Sequence, residues 1–301
     1  MLAPVVLFLY NRPDHAARTI AALAANNFSR DTNLIIFCDG PKNISDLKGV
    51  KATRLVARST FGFKSVRIVE RLTNLGLANS VIKGVSEVCA SYGRIIVLED
   101  DLVTSPFFLS FMNAALDKYE KYNNVGSIHG YWYPSPIDVP ETFFLRGASC
   151  WGWATWSRSW KNFEPDGSKL LNALRSRGLT KEFDLEGAIA YTRMLKAQIA
   201  GQNDSWAIRW HASTFLAGLL QLSPGRSLVR NIGFDGTGTH CADTLAFNSE
   251  LSVDPVRVDD IAIEQSQRAR AAVIRYHRST RQTFFQKSLG KMRRIFKGLA
   301  H

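Results

Sequence analysis

What this sequence lacks narrows it first. No apolar run approaches the about eighteen residues a membrane span needs. Met1 to Tyr10 has neither the basic start nor the small-residue cleavage site of a signal peptide. The expectation is a cytoplasmic chain that crosses no membrane. The four cysteines, Cys38, Cys89, Cys150 and Cys241, are too dispersed for a Cys-x-x-Cys metal site, and a 301-residue chain buries enough core to fold without disulfides. No G-x-G-x-x-G follows the first apolar run and no G-x-x-x-x-G-K-[ST] occurs anywhere, which argues against a dehydrogenase or a P-loop NTPase. Acid is missing altogether from Gln265 to His301, where ten Lys and Arg account for most of the formal charge of +12.

Acid is concentrated instead where an apolar run stops. Arg94-Ile95-Ile96-Val97-Leu98-Glu99-Asp100-Asp101 begins as a strand buried on both faces, as in a parallel sheet, and ends in three carboxylates. Acids at the carboxyl end of such a strand stand where open α/β sheets bind ligands. A hard divalent cation, Mg²⁺ or Mn²⁺, carrying phosphate oxygens would supply their counter-charge. A plainer reading makes them the turn before the next helix, with Asp101 or Ser105 as N-cap and Pro106 at the first helical position. Both readings fit this stretch alone.

The company of the motif is a series of βα units. Pro4–Tyr10 reads as a strand, Asp14 opens a helix that closes at Asn26-Asn27, and Leu34–Cys38 is a strand ended by Asp39-Gly40-Pro41. A helix over Lys48–Thr60, a strand over Ser65–Arg71 and a helix over Ala78–Ser91 lead into the acidic strand. This alternation predicts an α/β fold with a mostly parallel, Rossmann-like sheet flanked by helices. A polar residue recurs at each strand's carboxyl end: Arg12, Asp39, then Glu99 to Asp101. Such a rim suits a charged nucleotide.

From Gly126 the composition shifts to aromatics, Gly and Pro. Trp151, Trp153 and Trp156 cluster in loop-like sequence. Any one Trp is more readily core than surface, but a cluster offers faces for sugar C–H surfaces and so a candidate acceptor site. Leu170–Gly201 reads as helical with breaks at Gly178 and Gly187. Asp204 or Ser205 caps a helix over Trp206–Leu220, Leu228–Ile232 is a short strand, and His240 ends a Gly-rich loop placed to close on a ligand.

Leu98-Glu99-Asp100-Asp101-Leu102 with Ser105-Pro106-Phe107-Phe108 resembles the metal-binding signature of GT-A glycosyltransferases, in particular the N-acetylglucosaminyltransferase I family. The resemblance runs in order over about residues 4 to 245. It implies that Arg12 binds the nucleotide-sugar donor, that Asp39 reads the uracil base, and that Asn74 to Asn79 contact the nucleotide. It also implies that Asp204 of Asp204-Ser205-Trp206 is the catalytic base, with Ser205 where the family has a second acid, and that His240 lies near the donor diphosphate.

The implied activity is inverting, metal-dependent transfer of a hexose or N-acetylhexosamine from a UDP-sugar to a glycan or lipid-linked acceptor in surface polysaccharide synthesis. Asp101 would hold Mn²⁺ or Mg²⁺, Asp100 and Glu99 would orient the donor, and Asp204 would take the acceptor's proton. Residues 1–125 would form the nucleotide half, 126–250 the acceptor half and 251–301 a basic helical tail. The tail's amphipathic pattern suits the anionic inner face of the plasma membrane, or else a solvated helix docked on the domain; no nucleic-acid module accompanies its charge. Two other readings stay open: a nucleotidyltransferase that makes the sugar nucleotide, and a glycan-binding protein that has lost catalysis on the same scaffold.

Overall fold

The computed structural model describes residues 1–235 and 246–280. The first half of the chain alternates as its pattern predicts: β1 (Val5–Leu9), α1 (Pro13–Ala24), β2 (Asn33–Cys38), α2 (Leu47–Arg58), β3 (Ser65–Glu70), α3 (Leu77–Tyr92) and β4 (Arg94–Glu99). Then come β5 (Leu102–Thr104), α4 (Phe108–Lys118), β6 (Val125–His129), β7 (Thr142–Arg146), β8 (Trp153–Trp156) and α5 (Ser157–Trp160). Helices α6 (Gly167–Ser176), α7 (Thr180–Phe183), α8 (Tyr191–Ile199) and α9 (Trp206–Leu216) precede β9 (Leu220–Pro224) and β10 (Val229–Asn231). Residues 267–280 form a last helix, α10.

Eight strands make one sheet in the order β3-β2-β1-β4-β8-β6-β9-β7. Four neighbouring pairs are parallel and three, all involving β7 or β8, are antiparallel. The α/β class and the predominance of parallel pairing are as expected. Because strand side chains alternate, each inner strand feeds two cores. Val5, Leu7, Leu34, Ile36, Ile96 and Leu98 pack with α1 and α4, while Val6, Phe8, Ile35, Phe37, Ile95 and Val97 pack with α3 and a group of tryptophans. No described helix is long and apolar enough to cross a membrane.

Two features of the second half differ from expectation. Leu170–Gly201 is three helices, broken where Gly178 takes φ +66° and where Leu185, Glu186 and Gly187 all turn left-handed. The helix from Trp206 stops at Leu216, because Gly218 turns at φ +70° and Leu220–Pro224 enters the sheet as a fully buried strand. Leu220-Gln221-Leu222-Ser223 does alternate, but four residues that follow directly on a helical pattern are too few to set a strand apart from the end of that helix.

Candidate functional site

Strands β1 and β4 are neighbours, yet the chain runs outward from β1 through β2 and β3 before it returns to β4 on the other side. That reversal is a topological switch point, where the loops leaving two adjacent strands diverge and open a crevice. Arg12 follows β1 and Glu99-Asp100-Asp101 end β4, so both fall at it.

Arg12 occupies the N-cap position of α1, with Pro13 supplying the fixed φ of the first turn. Its Nη1 lies 3.2 Å from Asp101 Oδ2 and 3.5 Å from Asp100 Oδ1. Its Nε and Nη2 are buried without a partner. A buried guanidinium with donors to spare, at the positive end of a helix, is a receptor for anionic oxygen.

The three acids differ in environment. Burial, then the Asp101 and Asp100 charges, push Glu99 up to about 8; Arg12 and the Trp206 indole N–H, which donates to it, pull the other way. Burial and the Asp101 charge push Asp100 up to about 7, with Arg12 again opposing. The Asp100 carbonyl accepts from the Thr19 hydroxyl at 2.7 Å and the Asp101 carbonyl from the Ile232 N–H at 2.8 Å. Capping is not their job. Helix α4 begins only at Phe108, its first turn closed by Ser105, whose carbonyl accepts from Phe108 N–H while its hydroxyl accepts from Phe107 N–H.

Opposite Asp101, β10 pairs antiparallel with β5, Asn231 facing Leu102, and carries Gly233 against the motif. A Cβ on Gly233 would stand 2.3 Å from Asp101 Oδ2 and 3.0 Å from Arg12 Nη2. Two residues on, Asp235 Oδ2 meets His15 Nε2 of α1 at 3.1 Å.

Asp39 ends β2 and is 6% exposed. Its carboxylate accepts from the backbone N–H groups of Gly40, Leu75 and Gly76 at 3.0 to 3.2 Å, pinning the turn before α3. Asn74 bonds within the same turn, donating to the Gly40 carbonyl and accepting from Gly76 N–H. Asn79 is on the exposed side of α3 and donates to the Leu75 carbonyl. The structure thus brings Asp39 and Asn74 together as an anchored turn, one strand away from Arg12.

Asp204 lies in the loop before α9, whose N-cap is Ser205. Its side chain is 61% exposed and its Oδ1 accepts from Arg209 Nη2 at 2.8 Å. Trp206, the first residue of α9, reaches Glu99, so the loop stands beside the acidic motif. His240 lies outside the described residues.

The tryptophans separate. Trp153 is 0% and Trp156 3% exposed. Trp153 stacks on Trp206 at 5.3 Å between ring centres and packs with Trp160 and Trp210. Trp156 donates to the Leu116 carbonyl beneath α4. Neither presents a face to an acceptor, which corrects that expectation; strand β8 drives both into the sheet's two cores. Trp151 alone is half-buried, edge-on to Tyr131, Phe234 and Phe247.

Among the described residues no set of three or more His, Cys, Asp and Glu side chains converges as a metal cage. A cation that travels with a nucleotide needs only one or two carboxylates, since phosphate oxygens supply the rest. The residues present fit that case. Three crowded carboxylates face one guanidinium, a surplus of negative charge that a divalent cation would balance, and the bare backbone of Gly233 leaves Asp101 approachable.

Thr19, His15, Trp206 and Gly233 belong to this site and were not singled out by sequence reasoning. Each sits within an ordinary helical or turn pattern, and only long-range packing brings it to the motif.

No family model matches the chain, and no curated protein sequence matches it. Among solved structures it is similar to S. aureus TarS (13% identity, TM-score 0.36), covering 55% of this chain and 30% of that one. A cytidylyltransferase from Leptospira borgpetersenii is similar at 13% identity and TM-score 0.34, covering 54% of this chain and 63% of that one. The mannosyltransferase PcManGT from Pyrobaculum calidifontis, in complex with GDP-Man and Mn²⁺, is similar at 11% identity and TM-score 0.39, covering 72% of this chain and 70% of that one. The chain thus spans less than two thirds of the length of the first two.

Proposed function

We propose that the chain is a metal-dependent, inverting glycosyltransferase on a GT-A-like scaffold. It would move a hexose or N-acetylhexosamine from a UDP-sugar to a glycan or lipid-linked acceptor in surface polysaccharide synthesis. One observation carries the reading: Arg12 and the Asp100-Asp101 pair converge at the sheet's switch point.

On this reading the roles divide as follows. Arg12 and the N-terminus of α1 face the donor diphosphate and take up the charge that grows on it as the sugar departs. Asp101 would hold Mn²⁺ or Mg²⁺, which when bound would supply Lewis-acid charge to the diphosphate. Glu99 and Asp100 orient the donor. The turn pinned by Asp39, which carries Asn74, and Asn79 in the first turn of α3 flank the base; the family resemblance, not the described structure, assigns His240 to the diphosphate. Asp204, exposed and oriented by Arg209, removes the acceptor hydroxyl's proton. Trp151 offers the acceptor its one accessible indole. The basic tail, carried mostly by residues beyond 280, holds the enzyme at the anionic inner face of the membrane.

The test is release of UDP from a panel of UDP-sugars with Mn²⁺, with and without acceptor. Turnover that needs the metal and drops at least about a hundredfold in Asp204→Asn, with the fold intact, supports the reading. Pyrophosphate formation from UTP and a sugar phosphate would instead identify a nucleotidyltransferase. Metal-dependent UDP binding with no turnover of any donor would identify a binding protein.

A further inference from the structure

A cavity lies over the face of the sheet at β6, β9 and β7, away from Arg12. It measures about 50 Å³ and is bounded by β6, β7, β9, α7 and α10. The volume holds roughly four waters at the usual ten to fifteen Å³ each, enough for the hydroxyl edge of one sugar ring. Strand β6 is two strands from β4 and β9 is three, so at about 4.8 Å per strand they stand roughly 10 to 14 Å sideways from the strand that carries the acids.

Two polar side chains on its wall are orphaned. His129 and Gln221 are each 5% exposed, yet His129 Nε2 and Gln221 Oε1 have no hydrogen-bond partner. A buried polar atom left unpaired costs about 1 to 3 kcal/mol, and two on one wall mark a place built to meet a ligand or bound water. The remaining wall mixes aromatic rings, Tyr131, Tyr133 and Tyr191 among them, with aliphatic, polar and ion-paired side chains.

No net charge is on offer. Arg146 is spent on Glu182 and Arg270 on Glu186, each at 2.8 Å. Burial pulls the His129 and His211 imidazoles down to about 3 and about 4, which leaves both neutral at physiological pH. Phosphate, carboxylate or ammonium would find no counter-charge here. Hydroxyl groups would find an acceptor at Gln221, a ring nitrogen at His129 and aromatic faces for the C–H side of a pyranose.

We propose that this cavity is a second binding site, which takes the hydroxyl edge of a neutral sugar unit against His129 and Gln221. It does not rest on the donor reading, because none of its wall residues touches the Arg12–Asp101 cluster.

The experiment is saturation-transfer NMR and thermal shift with the methyl glycosides of glucose, galactose, mannose and N-acetylglucosamine. The wild-type chain, Gln221→Met and Arg12→Ala are compared. At least one glycoside is expected to bind the wild type and Arg12→Ala alike and to bind Gln221→Met about tenfold more weakly. In the wild type with ¹⁵N-labelled histidine, the His129 Nε2 resonance is expected to shift on adding that glycoside, a readout that needs no substitution. Binding of none of the four overturns the proposal. So does binding that leaves the His129 resonance unmoved, that is unchanged in folded Gln221→Met, or that disappears in Arg12→Ala.

Discussion

Arg12 and Asp101 are 89 residues apart in the chain and 3.2 Å apart in the fold. Their pairing follows from the strand order, since β1 and β4 become neighbours only after two βα units have been laid down on the far side of β1. Replacing Arg12 by Ala leaves the buried Asp100 and the partly buried Asp101 without their cation. The loss is expected at about 3 kcal/mol of stability, read by urea unfolding in EDTA, with Arg12→Lys recovering part of it. UDP-sugar turnover should fall at least about a hundredfold in Arg12→Ala.

Metal dependence is expected to run through Asp101. Mn²⁺ with UDP should raise the melting temperature of the wild type, and Asp101→Asn should abolish that rise without lowering the metal-free melting point. A full Mn²⁺ response in Asp101→Asn would move the ligand role elsewhere in the motif.

Gly233 is a steric prediction. A methyl group there meets Asp101 Oδ2 at 2.3 Å, so Gly233→Ala must displace the carboxylate or its own strand. Because the clash is local to the site's edge, donor turnover should drop more than tenfold while stability falls by about 1 to 3 kcal/mol. Parallel kinetics and thermal melts check the split.

His129 predicts an acid limb. Its folded value, about 3, lies below the ordinary 6.5, because burial disfavours the cation. The unfolded chain therefore binds a proton first as pH falls. Stability is complete above about pH 6.5 and is lost progressively down to about pH 3, by a few kcal/mol from this group alone. His129→Gln should flatten that part of the pH–stability curve.

The tryptophans should part company under substitution. Trp153→Ala opens a hole in a stacked core and is expected to cost about 3 to 5 kcal/mol or prevent folding. Trp151→Ala should leave the melting point within a few degrees and raise the apparent KM for acceptor. Chemical denaturation and acceptor titrations measure the two effects.

How much could be read in advance depended on range. β1, β2 and β4 carry apolar runs ended by polar or turn residues, β3 is a shorter β-branched stretch broken by Arg67, and all four, with α1 to α3 between them, lie where the pattern puts them. The rim residues Arg12, Asp39 and Asp101 were legible for the same reason: each lies within three residues of the end of an apolar run. Strands β7 and β8 were not, because Trp153 to Trp156 is a strand with aromatics sent to both cores, and local composition cannot distinguish it from an aromatic loop. Nor could local sequence show that Asp39 is occupied with backbone N–H groups, or that Gly233 would arrive against Asp101. Both facts depend on segments 36 or more residues away.

The antiparallel seam between β4 and β8 has a practical consequence. Cut after residue 125, the nucleotide half would keep Arg12, Asp39 and Asp101 but lose Trp153 to Trp156, the partners of Arg94 to Val97. The strand that carries the acids would then be a bare apolar edge, the kind of surface that recruits other chains. A fragment of that length should precipitate where one extended past Trp160 stays in solution.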